Sequence, residues 1–268
     1  MNSKIFSVKV RLEVIKMAYE AKAAHIASAL SIVDILSVLY NDFLVYDYKN
    51  SNLIGRDRFI LSKGHACSAL YAVLGLKKFF DKKLLSLYSK DDSDFMAHIS
   101  HKVPGVEFST GSLGHGLPFG VGIAQALKLK KIKSKVYVLI GDGELAEGSN
   151  FESLLFAAHN NLDNLVLIVD NNNLQSLTTV DKTLNLFPYD KKFESFNWEY
   201  FECNGNSINS LQKIFKKILK SKNMKPKVVV AKTIKGKGVS FMENKVEWHY
   251  KPPNFEQFEK AIKEVKDA

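Results

Sequence analysis

Two short polar segments, each directly after an apolar run of strand-like composition, carry oxygen ligands for a hard metal ion. Segment 141–144 reads Gly-Asp-Gly-Glu, and segment 170–174 reads Asp-Asn-Asn-Asn-Leu. The carboxylate of Asp142, the amide of Asn172 and a backbone carbonyl suit an octahedral cation such as Mg²⁺ better than zinc. Either segment alone is more typical of a simple turn. The pair predicts a metal site that also holds phosphate, because a metal with so few carboxylates usually binds phosphate groups.

Neighbouring parallel strands are needed to bring these two segments together, and the chain alternates strand-like and helical patterns. We predict strands at 59–61, 136–140, 165–169 and 227–231, and helices at 4–22, 31–44, 66–80, 116–131 and 150–161. This rhythm predicts an α/β fold, a doubly wound parallel sheet flanked by helices, with ligands beyond the carboxyl ends of the strands. No linker or repeat interrupts it, so we expect residues 1–268 to form one domain.

The composition excludes several classes of protein. With 268 residues, 46% hydrophobic and 25% charged, the chain has the composition of a globular protein and not of a disordered or collagen-like one. No apolar run approaches the ~20 residues of a membrane helix, and the N-terminus lacks a signal-peptide pattern. We therefore expect a cytoplasmic protein with no membrane partner.

The net charge of +10 does not predict a nucleic-acid partner. Of 38 basic residues only Arg11, Arg56 and Arg58 are arginines, whereas base and phosphate recognition favours guanidinium groups. The scattered lysines are typical of a solvated surface. Cys67 and Cys203 have no metal-ligand spacing, and we expect both to be buried thiols with no disulfide.

The two polar segments resemble the thiamine-diphosphate motif, and the sequence around them narrows the family. Segments 56–65 (Arg-Asp-Arg-Phe-Ile-Leu-Ser-Lys-Gly-His), 104–107 (Pro-Gly-Val-Glu) and 109–116 (Ser-Thr-Gly-Ser-Leu-Gly-His-Gly) occur in the order found in transketolases. The chain resembles the N-terminal, diphosphate-binding domain of that family from His25 to His249. The resemblance implies the thiamine-diphosphate-binding fold.

The resemblance also implies a cofactor site. The side chains of Asp142 and Asn172 and the main-chain oxygen of Leu174 would hold Mg²⁺, or Ca²⁺, against the diphosphate of thiamine diphosphate. We expect Asp142 to lie on a surface loop. Glu147 matches the acid that connects cofactor sites across a subunit interface. The cofactor-binding residues implied in this way are His65, Gly111, Ser112, Leu113, Gly143, Glu147, Asn172 and His249.

Several histidines are expected in such a site. Ketol transfer makes and breaks carbon–carbon bonds through a cofactor carbanion, so protons must move near neutral pH, where imidazoles titrate. The resemblance implies catalytic roles for His25, His65, His98 and His249. His101 is an alternative to His98, because the segment His98-Ile99-Ser100-His101 is one position shorter before Pro104 than the common transketolase pattern.

Two departures from the family pattern concern the substrate entrance. The usual Gly-His-Pro-Gly is Ala24-His25-Ile26-Ala27 here, and Tyr250 follows His249 where related chains often have glycine. Both changes leave the metal and diphosphate segments intact. We therefore expect cofactor binding to follow the family more closely than substrate choice does.

A partner chain is also expected. Full-length transketolases continue with a pyrimidine-binding domain and a C-terminal domain, and this sequence ends before either. We predict that both lie on a separate chain, as in split transketolases that assemble as two-plus-two heterotetramers acting on sugar phosphates. The alternatives are the α subunit of a thiamine-dependent 2-oxo-acid dehydrogenase, another decarboxylating relative, or a non-catalytic remnant. A nicotinamide site is disfavoured because the glycines of 109–116 lack the required order.

Overall fold

Five parallel strands form one central sheet in the computed structural model, which describes residues 2–51 and 53–267. The strands are β1 (Arg58–Leu61), β2 (Val136–Gly141), β3 (Leu165–Asn171), β4 (Glu199–Asn204) and β5 (Lys227–Lys232). Their order across the sheet is β1-β2-β3-β5-β4. In the register of β2 and β3, Gly141 pairs with Asp170, so the two polar segments begin side by side.

Helices cover both faces of this sheet. They are α1 (Ser3–Glu20), α2 (Ile26–Ser31), α3 (Val33–Val38), α4 (Cys67–Leu76), α5 (Gly116–Leu129), α6 (Gly148–His159), α7 (Val180–Thr183), α8 (Tyr189–Ser195), α9 (Ile208–Lys220) and α10 (Phe255–Asp267). Short 3₁₀ turns occur at Gly64–Ala66, Lys82–Leu87, Glu144–Ala146 and Val246–His249, and a π-helical turn at Leu39–Phe43.

Each face of the sheet has its own hydrophobic core. Alternate strand residues such as Leu139 and Ile168 pack with α1 to α4, α9 and α10, whereas Val138 and Leu167 pack with α5, α6 and α8. Burial on both faces explains why β2, β3 and β5 read as continuous apolar runs. The α/β prediction, with a parallel sheet flanked by helices, is confirmed.

The predicted helix 31–44 has the wrong bounds. The helical segment begins at Ile26, is interrupted at Ile32 and ends in the π-helical turn Leu39–Phe43. Residues 26–40 are all buried, so no polar face marks where the helix starts. The predicted helix 66–80 stops at Leu76, and Lys78 takes a left-handed conformation (φ 66°) just after it.

Strand β4 was not predicted. Its sequence, Glu-Tyr-Phe-Glu-Cys-Asn, carries charged and exposed positions because it lies at the edge of the sheet, where β5 is its single partner among the described residues. An apolar-run criterion does not detect such a strand.

Both cysteines are free and buried, as expected. Burial raises the pKa of the Cys67 thiol and of the Cys203 thiol to about 12. Within the residues that the structure describes, no helix is both long and apolar enough to cross a lipid bilayer.

Candidate functional site

A cavity of about 340 Å³ lies at the carboxyl ends of the central strands. The two polar segments predicted to meet line it together. The predicted site residues that line this cavity are His25, His65, His98, Gly111, Leu113, Asp142, Gly143, Glu147, Asn172, Leu174 and His249. Ser112 and His101 do not line it, and both are exposed.

A larger cavity, of about 540 Å³, lies beside α1 and α9 and contains none of the predicted site residues. Its charged lining includes Arg11 and Asp34, which pair with each other at 2.5 Å. That pair satisfies its own charges. The predicted metal ligands and the candidate catalytic histidines lie in the smaller cavity.

Asp142 is held firmly at the end of β2. Its Oδ1 accepts a hydrogen bond from the Gly143 amide at 2.8 Å, and its Oδ2 accepts one from the Asn173 amide at 2.6 Å. The expectation that Asp142 lies on a surface loop is wrong: it is only 3% exposed. Burial, followed by the nearby Asp170 carboxylate, raises its pKa to about 6.

The other two predicted metal ligands are positioned by hydrogen bonds within the same loop. Asn172 Oδ1 accepts from the Leu174 amide at 3.0 Å, and Asn172 Nδ2 donates to Asp170 at 3.1 Å. The carbonyl oxygen of Leu174 accepts from Lys235 at 3.2 Å. Each of these oxygens has a second lone pair that could bind a cation.

A buried ion pair lies beneath these ligands. Lys63 Nζ donates to Asp170 Oδ2 at 2.6 Å, with Lys63 2% and Asp170 0% exposed. The other oxygen of Asp170 accepts from Ser31 at 2.6 Å and also from Thr233. Charges this deeply buried persist because each is paired and hydrogen-bonded. The sequence reasoning did not assign Lys63 or Asp170, although both stand within the segments that carry the resemblance.

Lys235 is a second buried cation of the cavity that the sequence reasoning missed. Its ammonium donates to the carbonyl oxygens of Leu174 and Gln175, at 3.2 and 2.8 Å, and lies 3.0 Å from His249 Nδ1. Burial, followed by the charge of Lys63, lowers its pKa to about 8. Its position just after β5, at the same sheet edge as the other loops, is the signal that could have identified it.

Glu144 ties the loops around the cavity together. Its buried carboxylate accepts hydrogen bonds from the Ser62 hydroxyl and from the Gly114 and Gly141 amides, the last two at 2.9 and 3.1 Å. The residue therefore connects the loop after β1, the segment before α5 and the end of β2. Burial raises the pKa of Glu144.

Four histidine rings form a cluster in the cavity, hereafter the histidine cluster: His25, His65, His98 and His249. His25 is at its centre, with ring centroids 5.2 Å from His65, 5.6 Å from His98 and 4.9 Å from His249. The His25 amide donates to the carbonyl of His249 at 2.7 Å, and His25 itself has a left-handed backbone (φ 69°). Such a conformation is uncommon in a residue other than glycine, and here it occurs directly before helix α2.

The environment keeps three of these imidazoles, those of His25, His65 and His249, uncharged near neutral pH. Burial lowers the pKa of His25 to about 4, with His98 and Lys235 lowering it further. Burial, followed by the charge of Lys235, lowers the pKa of His249 to about 3. Burial and Lys63 likewise hold the pKa of His65 well below its usual value. Near pH 7 the rings of His25, His65 and His249 are therefore neutral, and each has a nitrogen lone pair that can accept a hydrogen bond.

This combination of predicted metal ligands, buried lysines and histidine cluster agrees with a comparison of the whole sequence with known families. The profile described as "Transketolase, thiamine diphosphate binding domain" matches residues 3–265. The chain belongs to the transketolase family. Membership favours the transketolase interpretation over the 2-oxo-acid dehydrogenase alternative.

Two relatives in this family are each named as one subunit of an apulose-4-phosphate transketolase. The protein of Phocaeicola vulgatus is 39% identical over 261 residues, and that of Actinobacillus succinogenes is 44% identical over 255 residues. The alignments cover 97% and 95% of this chain, and 92% of each relative.

The transketolase of Campylobacter jejuni has the same fold in a solved structure. It superposes with a TM-score of 0.93 at 31% identity, over 99% of this chain but 43% of that one. The chain therefore spans less than half of the solved transketolase, while matching nearly the full length of the two relatives named as single subunits.

Proposed function

We propose that this chain is the N-terminal subunit of a split transketolase, a cytoplasmic enzyme of carbohydrate metabolism that transfers a two-carbon ketol unit between sugar phosphates. The observation that carries this proposal is the convergence in one cavity of oxygen ligands, two buried ammonium groups and the histidine cluster. Oxygen ligands and ammonium groups suit a metal diphosphate, and uncharged imidazoles have lone pairs that can accept hydrogen bonds from sugar hydroxyls.

The residues present fit thiamine diphosphate with Mg²⁺, or with Ca²⁺. Bound there, the cofactor supplies a stabilised carbanion for ketol transfer. Asp142, Asn172 and the Leu174 carbonyl form an all-oxygen donor set with a single carboxylate, and such a set suits a hard cation that also binds phosphate oxygens. Lys235 would offset part of the remaining phosphate charge, whereas the charge of Lys63 is already compensated by Asp170. The further proposed contacts to the cofactor are His65, Gly111, Leu113, Gly143, Glu147 and His249. Ser112, which does not line the cavity, stays a proposed contact through its backbone, as part of the loop with Gly111 and Leu113.

Within the histidine cluster, we assign proton transfer to the rings that surround His25. His25 and His249 are uncharged near neutral pH, so each has a nitrogen lone pair that can accept a hydrogen bond from a sugar hydroxyl. The negative charge of a bound diphosphate would raise both pKa values towards the range in which proton transfer is effective. The sequence left open whether His98 or His101 takes the catalytic position. We assign that position to His98, because it lines the cavity and His101 does not. His101 instead hydrogen-bonds to Ser109 at 2.6 Å.

Replacing His249 by alanine is expected to lower turnover by about 10²–10⁴-fold, the range for loss of a general acid or base. Affinity for thiamine diphosphate should fall far less than turnover, because His249 is one of several proposed contacts to the cofactor and Lys235 keeps its bonds to two carbonyl groups. Steady-state kinetics and calorimetric titration of the cofactor measure the two effects. His159→Ala, an exposed histidine on α6 outside the cavity, is the control. Equal losses of affinity and turnover in His249→Ala would assign His249 to cofactor binding instead.

A second chain completes the proposed enzyme. We propose that residues 1–268 form one domain, and that the pyrimidine-binding and C-terminal domains lie on that second chain in a two-plus-two heterotetramer. The 92% coverage of relatives that are themselves named as single subunits supports this division. Glu147 is exposed at the cavity, where it could reach a neighbouring subunit.

The names of the same relatives suggest the donor to test first, apulose 4-phosphate. The test uses this chain alone and with the product of the adjacent coding sequence, with thiamine diphosphate and Mg²⁺, an aldose phosphate acceptor, and xylulose 5-phosphate as a straight-chain donor. Ketol transfer only with the partner is expected. Transfer by this chain alone would contradict the split enzyme, and failure of both donors with cofactor bound would contradict ketol transfer.

A further inference from the structure

Tyr250 lies at the outer end of the histidine cluster. Its ring centroid is 4.7 Å from that of His249 and 6.1 Å from that of His25, and it lines the same cavity. Exposure rises along this row of rings: His249 is 8% exposed, and Tyr250 is 58% exposed. The tyrosine therefore stands at the mouth of the cavity, with the histidines beneath it.

The backbone holds the ring in this place. Tyr250 ends the 3₁₀ turn Val246–His249, and its amide donates to the Glu247 carbonyl at 3.3 Å. Pro252 and Pro253 follow closely in the chain and restrict its freedom. No hydrogen bond from the Tyr250 hydroxyl to residues 2–51 or 53–267 is present, so neither the fold nor the cluster depends on that group.

A sugar that reaches the histidine cluster must pass close to this ring. The part of the cavity that this subunit forms has a volume of about 340 Å³, near the lower end for small-molecule sites, about 300–1,000 Å³. Metal ligands and buried lysines line its inner part, which we have assigned to the diphosphate. The reacting end of a sugar must reach the histidine cluster, so a long sugar has to extend outward past Tyr250.

Resting on the proposed ketol transfer, we propose that Tyr250 is a specificity-determining residue whose ring restricts the length of the acceptor aldose. Short acceptors of two or three carbons fit between the histidine cluster and the Tyr250 ring, whereas a five-carbon acceptor must extend past that ring towards solvent. The selection is steric and comes from the ring, not the hydroxyl. Because the residue is mostly exposed and has ordinary backbone angles (φ −113°, ψ −14°), shortening it should not disturb the fold.

The test compares kcat/KM for glycolaldehyde, glyceraldehyde 3-phosphate and ribose 5-phosphate, with one saturating ketose donor, in the complex reconstituted with the partner subunit. Tyr250→Ala should raise the five-carbon to two-carbon ratio of kcat/KM by about 10-fold or more, within the range of a single pocket contact. Tyr250→Phe keeps the ring and should retain the wild-type ratio. Tyr48→Ala, another exposed tyrosine that does not line the cavity, should retain it too.

An unchanged ratio in Tyr250→Ala, or a change of equal size for all three acceptors, would overturn the proposal. A shifted ratio in Tyr250→Phe would assign selection to the hydroxyl and would also overturn the steric argument. If the wild-type complex binds thiamine diphosphate and transfers to none of the three acceptors, the proposed function itself fails, and this inference with it. Failure of specificity and failure of function are therefore distinguished by the wild-type measurement.

Discussion

Asp142→Asn is expected to weaken Mg²⁺-dependent binding of thiamine diphosphate by about 100-fold or more, and ketol transfer should fall with it. The substitution keeps the shape of the side chain and removes the one carboxylate among the three proposed metal ligands. A neutral amide is a much poorer ligand for a hard divalent cation than a carboxylate. Calorimetric titration of the cofactor, at fixed Mg²⁺ and in the reconstituted complex, measures the loss.

Because Asp142 is buried, the variant has to be chosen so that loss of metal binding is not confused with loss of stability. Alanine would leave the Gly143 and Asn173 amides without their acceptor, at about 1–3 kcal/mol for each unsatisfied group. Asparagine retains one acceptor oxygen, so one of the two amides keeps its hydrogen bond while the other faces the new NH2 group, and the loss of stability is smaller than with alanine. Asp163→Asn is the matched control, since that carboxylate pairs with Lys128 at 3.1 Å outside the cavity. Wild-type affinity in Asp142→Asn, with an unchanged melting temperature, would exclude Asp142 as a metal ligand.

Asp170→Ala is expected to lower the free energy of unfolding by about 3–5 kcal/mol, the usual cost of removing one partner from a buried ion pair. The variant leaves the Lys63 ammonium without its carboxylate in a site from which water is nearly excluded. It also removes the acceptor of the Ser31 and Thr233 hydroxyls. Urea unfolding followed by circular dichroism measures the change.

A second ion pair of the chain has the same length as the Lys63–Asp170 pair but is exposed to solvent. Lys232 and Glu202 are also 2.6 Å apart, but their side chains are 61% and 43% exposed. Glu202→Ala should therefore change the free energy of unfolding by no more than about 1 kcal/mol. Adding Lys63→Met to Asp170→Ala should restore part of the loss, because the unpaired charge is then gone. Similar losses in Asp170→Ala and Glu202→Ala would show that burial of the Lys63–Asp170 pair contributes nothing.

The central strands and the order of the loops could be predicted from the sequence, because a strand that is buried on both faces of a sheet is a continuous run of apolar residues. The apolar runs 136–140 and 165–169 became β2 and β3, and their parallel pairing brought Asp142 and Asn172 to one sheet edge. The pairing follows from chain order and the preference of parallel strands for a common carboxyl edge. Edge strand β4, with charged residues, and the buried helical segment from Ile26 lacked that signal.

The amino-acid sequence by itself determined the α/β class, the family resemblance and most of the cavity-lining residues, because these depend on local pattern and residue type. Tertiary structure alone decided that His98 and not His101 joins the histidine cluster, and that Asp142 is buried. It also brought Lys63, Asp170 and Lys235 together from three separate strand ends. Distances, burial and shifted pKa values arise from groups far apart in the chain, and no local pattern contains them.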